Sequence, residues 1–223
     1  MSYRDNATRI FDQSSTCTEK SFYDLAEVLV CDPVTSNRAA TRSILYSLGF
    51  RHIEIGGNLC DFLDALENRP PDLAICETQV GETELCHAIR DIRQRGQTHN
   101  PFVTIIVTTW TPSAAQTTKV LNAGANDLLA RPFSAALLEQ RIRAHILHQK
   151  PFIVTDDYVG PERRASERQS SALSFTPPNS LKAKMDGRAN PDEAIRQFNI
   201  ELRAARAELT SAKQRRAILP LLN

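Results

Sequence analysis

Between residues 25 and 149, short apolar runs alternate five times with stretches whose apolar residues recur every three or four positions. The runs Val28–Cys31, Leu73–Cys76 and Val103–Val107 read as strands buried on both faces. His52–Ile55 alternates, and Asp127–Ala130 is a short fifth strand. The intervening spacing predicts helices over 35–48, 82–95, 113–123 and 134–148, and one that opens at Asn58 and is ended by Pro70-Pro71. Their inward sets are Ala39, Ile44, Leu45 and Leu48; Leu59, Phe62, Leu63 and Leu66; Leu85, Ala88, Ile89 and Ile92; Ala114, Val120 and Leu121; and Ala135, Leu138, Ile142, Ile146 and Leu147. Gly49 and Gly124 stop two of these helices. Regular alternation of strand and helix implies an α/β domain with a parallel sheet and right-handed crossovers, spanning residues 25–149.

The flanks have a different texture. Residues 1–24 are polar and without period, and are expected to form a flexible N-terminal extension. Residues 150–190 lack a sustained apolar period and read as a linker, with extended pieces at Pro151–Thr155 and Leu173–Phe175. Asn190-Pro191-Asp192-Glu193 then supplies a cap, a Pro at the first helical position and early acids. An amphipathic helix over 191–219 follows, with Ile195, Phe198, Leu202, Ala205, Leu209 and Ala212 on one seam. Barely three heptads long, it is marginal alone and needs a partner: the body of the domain, or a second copy in a short coiled coil.

Composition narrows the setting. The 41% hydrophobic and 24% charged shares are those of a globular protein, and the net charge of +1 selects no anionic partner. Residues 1–150 carry 15 Lys and Arg against 17 Asp and Glu; the remainder carries 12 against 9. That asymmetry is too small to imply nucleic acid binding, and no run suggests a leader or membrane span. Five cysteines, without metal spacing, fit a reducing, cytoplasmic setting; Cys31 and Cys76 are expected to be small core residues on neighbouring strands.

The chemistry gathers at strand ends, where open α/β sheets place their sites. The first strand runs into Asp32, the third into Glu77, the fourth into Thr108-Thr109 and the fifth into Arg131-Pro132-Phe133. With Asn122-Ala123-Gly124-Ala125-Asn126-Asp127, this constellation resembles a response-regulator receiver domain of the CheY-like type. The resemblance covers about residues 25–148. It implies a flavodoxin-like, doubly wound sheet of order 2-1-3-4-5.

The resemblance also implies roles. Glu77 stands where the family has its phosphoacceptor Asp, and Asp32 is the first of two metal-holding acids, with Pro33 in place of the second. Thr109 is taken as the hydroxyl that contacts the phosphoryl group, followed by Trp110, and Arg131 replaces a Lys. Leu128 stands where an aromatic switch is common. Glu reaches about 1.5 Å further than Asp, and Mg2+ has lost one carboxylate ligand, so no cofactor is expected, metal binding (Asp32 and Glu77 if any) being disfavoured. Arg can grip a carboxylate bidentately.

The expectation is a pseudo-receiver without turnover, in which Asp32, Glu77, Thr109 and Arg131 form a regulatory pocket. It would act in two-component or phosphorelay signalling through a histidine kinase or an effector. Trp110, Leu128, Ile195, Phe198, Leu202 and Leu209 are its contact residues. Two alternatives stand beside it: a phosphorylatable, Mg2+-dependent receiver, and a nucleic-acid-binding effector using the basic segment around Arg163 and Arg164. The RxxxR from Arg164 to Arg168 resembles the start of a PilZ cyclic-dinucleotide domain, without the rest of that motif.

Overall fold

The computed structural model describes residues 22–95, 100–155, 158–163, 173–187 and 191–218. The side chains of Phe22, Arg95, Ala205 and the residues after 207 lie outside that description. Five strands, β1 (Glu27–Cys31), β2 (His52–Gly56), β3 (Leu73–Glu77), β4 (Thr104–Thr109) and β5 (Asp127–Ala130), pair in parallel in the order β2-β1-β3-β4-β5. Helices α1 (Thr35–Leu48), α2 (Leu59–Asn68), α3 (Glu82–Arg95), α4 (Ala114–Ala123) and α5 (Ala135–Leu147) connect them. Side chains of Asn58, Ser113 and Ser134 each accept an N–H three residues on, fixing where α2, α4 and α5 begin. Gly49 and Gly124 end α1 and α4 at φ 106 and 110, in the left-handed region.

Alternate residues of each buried strand face two cores. Val28, Val30, Leu73, Ile75 and Ile106 meet α1 and α5 through Leu45, Leu138, Ile142 and Ile146. Leu29, Cys31, Ala74, Cys76, Ile105 and Val107 meet α2, α3 and α4 through Phe62, Leu66, Leu85, Ile89 and Val120. Period-2 alternation across a double-sided sheet thus sorts the apolar residues of β1, β3 and β4 between the two cores. The inward sets need correction in both directions: Ala39, Ala114 and Leu147 are exposed, while Thr41, Ala65, Cys86, Arg93 and Ala123 are buried as well.

The flanks correct the sequence reading further. Residues 22–25, assigned mostly to a flexible extension, form a 3-10 turn whose Tyr23 stacks on Phe50 with ring centroids 4.5 Å apart. The remainder of that extension lies outside the described residues. Within 150–190, the expected linker carries a three-stranded antiparallel sheet of order β7-β6-β8: β6 (Phe152–Val154), β7 (Val159–Pro161) and β8 (Leu173–Phe175). A helix, α6 (Ser180–Met185), follows it. Strands of three residues are too short for a hydrophobic period to register, and their core partner, Phe102, is distant in sequence.

Phe102 is edge-on to Phe152, Phe175 and Phe198 at 5.6, 6.4 and 5.4 Å. Phe198, Ile195 and Leu202 come from α7 (Asp192–Ile218), the amphipathic helix expected from its caps and seam. Leu181 of α6 enters the α1–α5 core, and Lys184 pairs with buried Asp72 at 2.8 Å. The described residues after 150 therefore close over the N-terminal end of the parallel sheet, opposite the strand ends that carry the polar chemistry.

Candidate pocket at the strand ends

β3 delivers Glu77 with no solvent exposure, and β1 delivers Asp32 the same way. Arg131 follows β5, its side chain 6% exposed, and reaches both acids. Its Nε donates to Glu77 Oε2 at 2.8 Å, and its Nη2 lies 3.3 Å from Asp32 Oδ2. Nη2 also donates to Thr41 Oγ1 at 3.2 Å, while the guanidinium carbon lies 4.9 Å from the centre of the Phe133 ring. One planar cation is therefore fixed by groups from β1, α1, β3 and the turn after β5.

The remaining lone pairs of Glu77 are also engaged. Thr108 Oγ1 donates to Oε2 at 2.7 Å and accepts from Arg131 Nε at 3.2 Å, closing a triangle. Thr78 Oγ1 donates to Oε1 at 2.9 Å. Because that hydroxyl has one proton, the 3.2 Å contact between Thr78 and Thr109 is completed by the Thr109 hydroxyl as donor. Thr109 Oγ1 in turn accepts the Thr111 N–H at 3.3 Å. A polar relay thus runs from the buried carboxylate to the exposed loop after β4, where Trp110 is 43% exposed.

The sequence-expected residues divide accordingly. Asp32, Glu77 and Arg131 come together. Thr109 does not touch Glu77: β3–β4 register sets Glu77 opposite Thr108, so Thr108 supplies the hydroxyl assigned to its neighbour. Thr41 and Thr78 were missed because nothing local distinguishes them; Thr108 was visible as half of a Thr-Thr pair. Leu128 is partly buried against the α2–α3–α4 core. Ile195, Phe198 and Leu202 lie in the aromatic cluster far from the pocket, and the Leu209 side chain falls outside the described residues.

A divalent cation does not fit these groups. Asp32 Oδ1 is committed to the Val34 N–H at 2.8 Å. Its Oδ2 has no well-aligned hydrogen bond and faces the guanidinium. Pro33 offers no side-chain oxygen, and both Glu77 oxygens are occupied. With Arg131 in place few oxygen donors are left for octahedral ligation, and the positive charge a metal would bring is already there. Among the described residues no group of three His, Cys, Asp or Glu side chains could hold a metal.

Elsewhere, Cys31 and Cys76 are register partners on β1 and β3, both buried and free; burial, foremost, pushes the Cys76 thiol well up, so it stays protonated and inert. Arg163, offered above as a phosphate contact, instead donates to the carbonyls of Leu121 (3.1 Å) and Ala125 at the end of α4. Residues 164–170 lie outside the described residues. No helix among the described residues is long and apolar enough to cross a membrane.

Comparison with known proteins adds the following. Residues 28–143 match the response regulator receiver domain family. The chain is similar to Response regulator MprA of Mycobacterium sp. (strain KMS), 28% identical over 153 residues, which cover 64% of this chain and 65% of that protein. It is also similar to Response regulator MprA of Mycobacterium avium, 28% identical over 120 residues, or 53% and 51% of the two chains. The chain thus spans less than two thirds of these relatives' length. Among solved structures, a CheY-like receiver domain protein from Methanospirillum hungatei superposes with a TM-score of 0.48 at 23% identity, over 56% of this chain and 96% of the other.

Proposed function

This chain belongs to the response regulator receiver domain family, and on that premise we propose that it is a pseudo-receiver, held in one signalling state by its own side chains. The observation that carries the reading is the buried bond between Arg131 Nε and Glu77 Oε2, 2.8 Å long. In-line phosphoryl transfer depends on an accessible acceptor oxygen, a positioned donor and neutralisation of developing charge by metal. Here both acceptor oxygens are hydrogen-bonded, the carboxylate is enclosed, and Arg131 has taken the charge that a phosphoryl group or metal would otherwise meet.

The pocket then contributes no turnover; it sets the shape of the loops around it. Glu77, through Thr78 and Thr109, holds the β4–α4 loop, which presents Trp110 to a protein partner. Partners of the kind response regulators engage, a histidine kinase or a downstream effector in the cytoplasm, would read that surface. Helix α7 spends Ile195, Phe198 and Leu202 on its own chain, so pairing with a second copy would fall to its later part.

The test is phosphoryl labelling of the full chain by a small-molecule phosphodonor with Mg2+, followed by intact mass. The expected result is no adduct on the wild-type chain, and hydroxylamine-labile labelling once Glu77→Asp, Arg131→Lys and Pro33→Asp are combined. Stoichiometric Mg2+-dependent labelling of the wild-type chain would overturn the reading.

A further inference from the structure

We infer that the Arg131 guanidinium is the resident cation of this pocket, doing for Asp32 and Glu77 what a bound divalent metal would do, so that a metal site exists only when Arg131 is removed. The inference rests on the pseudo-receiver reading and goes beyond it, naming the group that keeps metal out. Two fully buried carboxylates converge here, and among the described residues Arg131 is the cation paired with them; Arg38 reaches Asp32 only at its backbone carbonyl. With all three groups ionised the enclosed set carries one net negative charge.

The geometry is that of a bridging ion. Nε serves Glu77 and Nη2 faces Asp32, while Thr41, Thr108 and the Phe133 ring fix the guanidinium plane between them. The Asp32 Oδ2 atom, buried and without a well-aligned hydrogen bond, is bound by charge alone, the condition in which a carboxylate oxygen accepts a metal if the competing cation is taken away. A divalent ion entering with Arg131 in place would face like charge at close range in a dry site.

Replacing Arg131 by Met leaves two adjacent buried carboxylates and two net negative charges. That variant is expected to bind Mn2+ or Mg2+ saturably under conditions where the wild-type chain shows no saturable binding. Its thermal midpoint should rise with metal and fall with chelator, whereas the wild-type midpoint responds to neither. Adding Glu77→Gln to Arg131→Met restores one net negative charge; the double variant should fold in chelator and lose the metal response.

Calorimetric titration and melting of full-length chains read all three. A wild-type chain that binds Mg2+ overturns the inference, as does a folded Arg131→Met chain that ignores both metals. If both variants stay unfolded whatever the metal, Arg131 is a strut and not a counter-ion, and the inference is again overturned. None of these results touches the phosphodonor test, whose outcome is read on the wild-type acceptor alone.

Discussion

Two arginines are buried at opposite ends of one parallel sheet, and they are neutralised in different ways. Arg131, at the C-terminal ends of the strands, answers two carboxylates. Arg93, on α3 and 1% exposed, meets no carboxylate in its hydrogen bonds. It donates to the carbonyls of Pro101, Val103 (2.8 Å) and Gly124 (3.1 Å) and to Asn126 Oδ1 (2.9 Å), beneath the Phe152 ring at 5.3 Å. Burial, its largest perturbation, pulls the Arg93 guanidinium down to about 9, against a partly compensating Tyr158. Arg131 is placed by charge, between two carboxylates; Arg93 is placed by dipoles as an architectural tie. A buried ion is therefore a guide to function only after its counter-groups are named.

Removing residues 151–223 should break the comparison most severely. Phe102 loses its aromatic partners, Leu181 leaves the α1–α5 core, and Arg93 becomes wet. At about 1.5–3 kcal/mol for each large side chain uncovered, the loss is roughly 5 kcal/mol, a large part of a typical domain's stability. Chemical denaturation of the truncated chain should show a collapsed midpoint or no cooperative transition.

Arg93→Met comes next. It leaves the carbonyls of Pro101, Val103 and Gly124 without the Arg93 donor, while Asn126 Oδ1 keeps the Ile105 N–H; at about 1–3 kcal/mol for each one that water cannot reach, the loss is roughly 3 kcal/mol overall after relaxation. Urea melts read it. The phosphodonor and metal responses of the pocket should be untouched, separating the two ends.

Thr108→Val tests the pocket more gently. It removes a hydroxyl that both donates to Glu77 and accepts from Arg131, and should cost about 1–2 kcal/mol in the same urea melts. Thr109→Val should cost less, since its hydroxyl reaches Glu77 only through Thr78.

The smallest effect lies at a half-open ion cluster between these extremes. Burial would raise the Asp127 carboxyl, but His145 at 3.5 Å and Arg141 at 3.4 Å more than reverse this and hold it below its ordinary range. A depressed carboxylate stabilises the fold above its unfolded pKa and ceases to do so as pH falls through its folded one. Asp127→Asn should therefore cost about 0.5 kcal/mol at neutral pH and nothing in strong acid, as thermal melts across the acid range would show.

Much of the parallel domain was legible because its strands are uninterrupted apolar runs and its helices are capped by Asn58, Ser113 and Ser134. Glu77 and Arg131 were legible for a different reason: each ends a strand, where topology collects polar groups from distant sequence. Thr108 was not separable from Thr109, because which of two adjacent threonines faces Glu77 is set by register with β3, a tertiary fact. Arg93 left a trace, sitting four residues after Ile89 and eight after Leu85 on the apolar stripe of α3, yet a charged residue there reads as the edge of the stripe. Two strands of the small sheet were legible as extended pieces at Pro151–Thr155 and Leu173–Phe175, but their pairing was not, because their core, built around Phe102, joins residues up to about a hundred positions apart.

The late-sequence cover over the sheet has a consequence for synthesis. While the ribosome is still making residues 151–202, the floor beneath Phe102 and Arg93 stands open. At about 5–20 residues per second, that window lasts roughly 3–10 seconds. During it the nascent chain offers a greasy aromatic and a guanidinium without its ring cover to whatever chaperone waits at the tunnel exit.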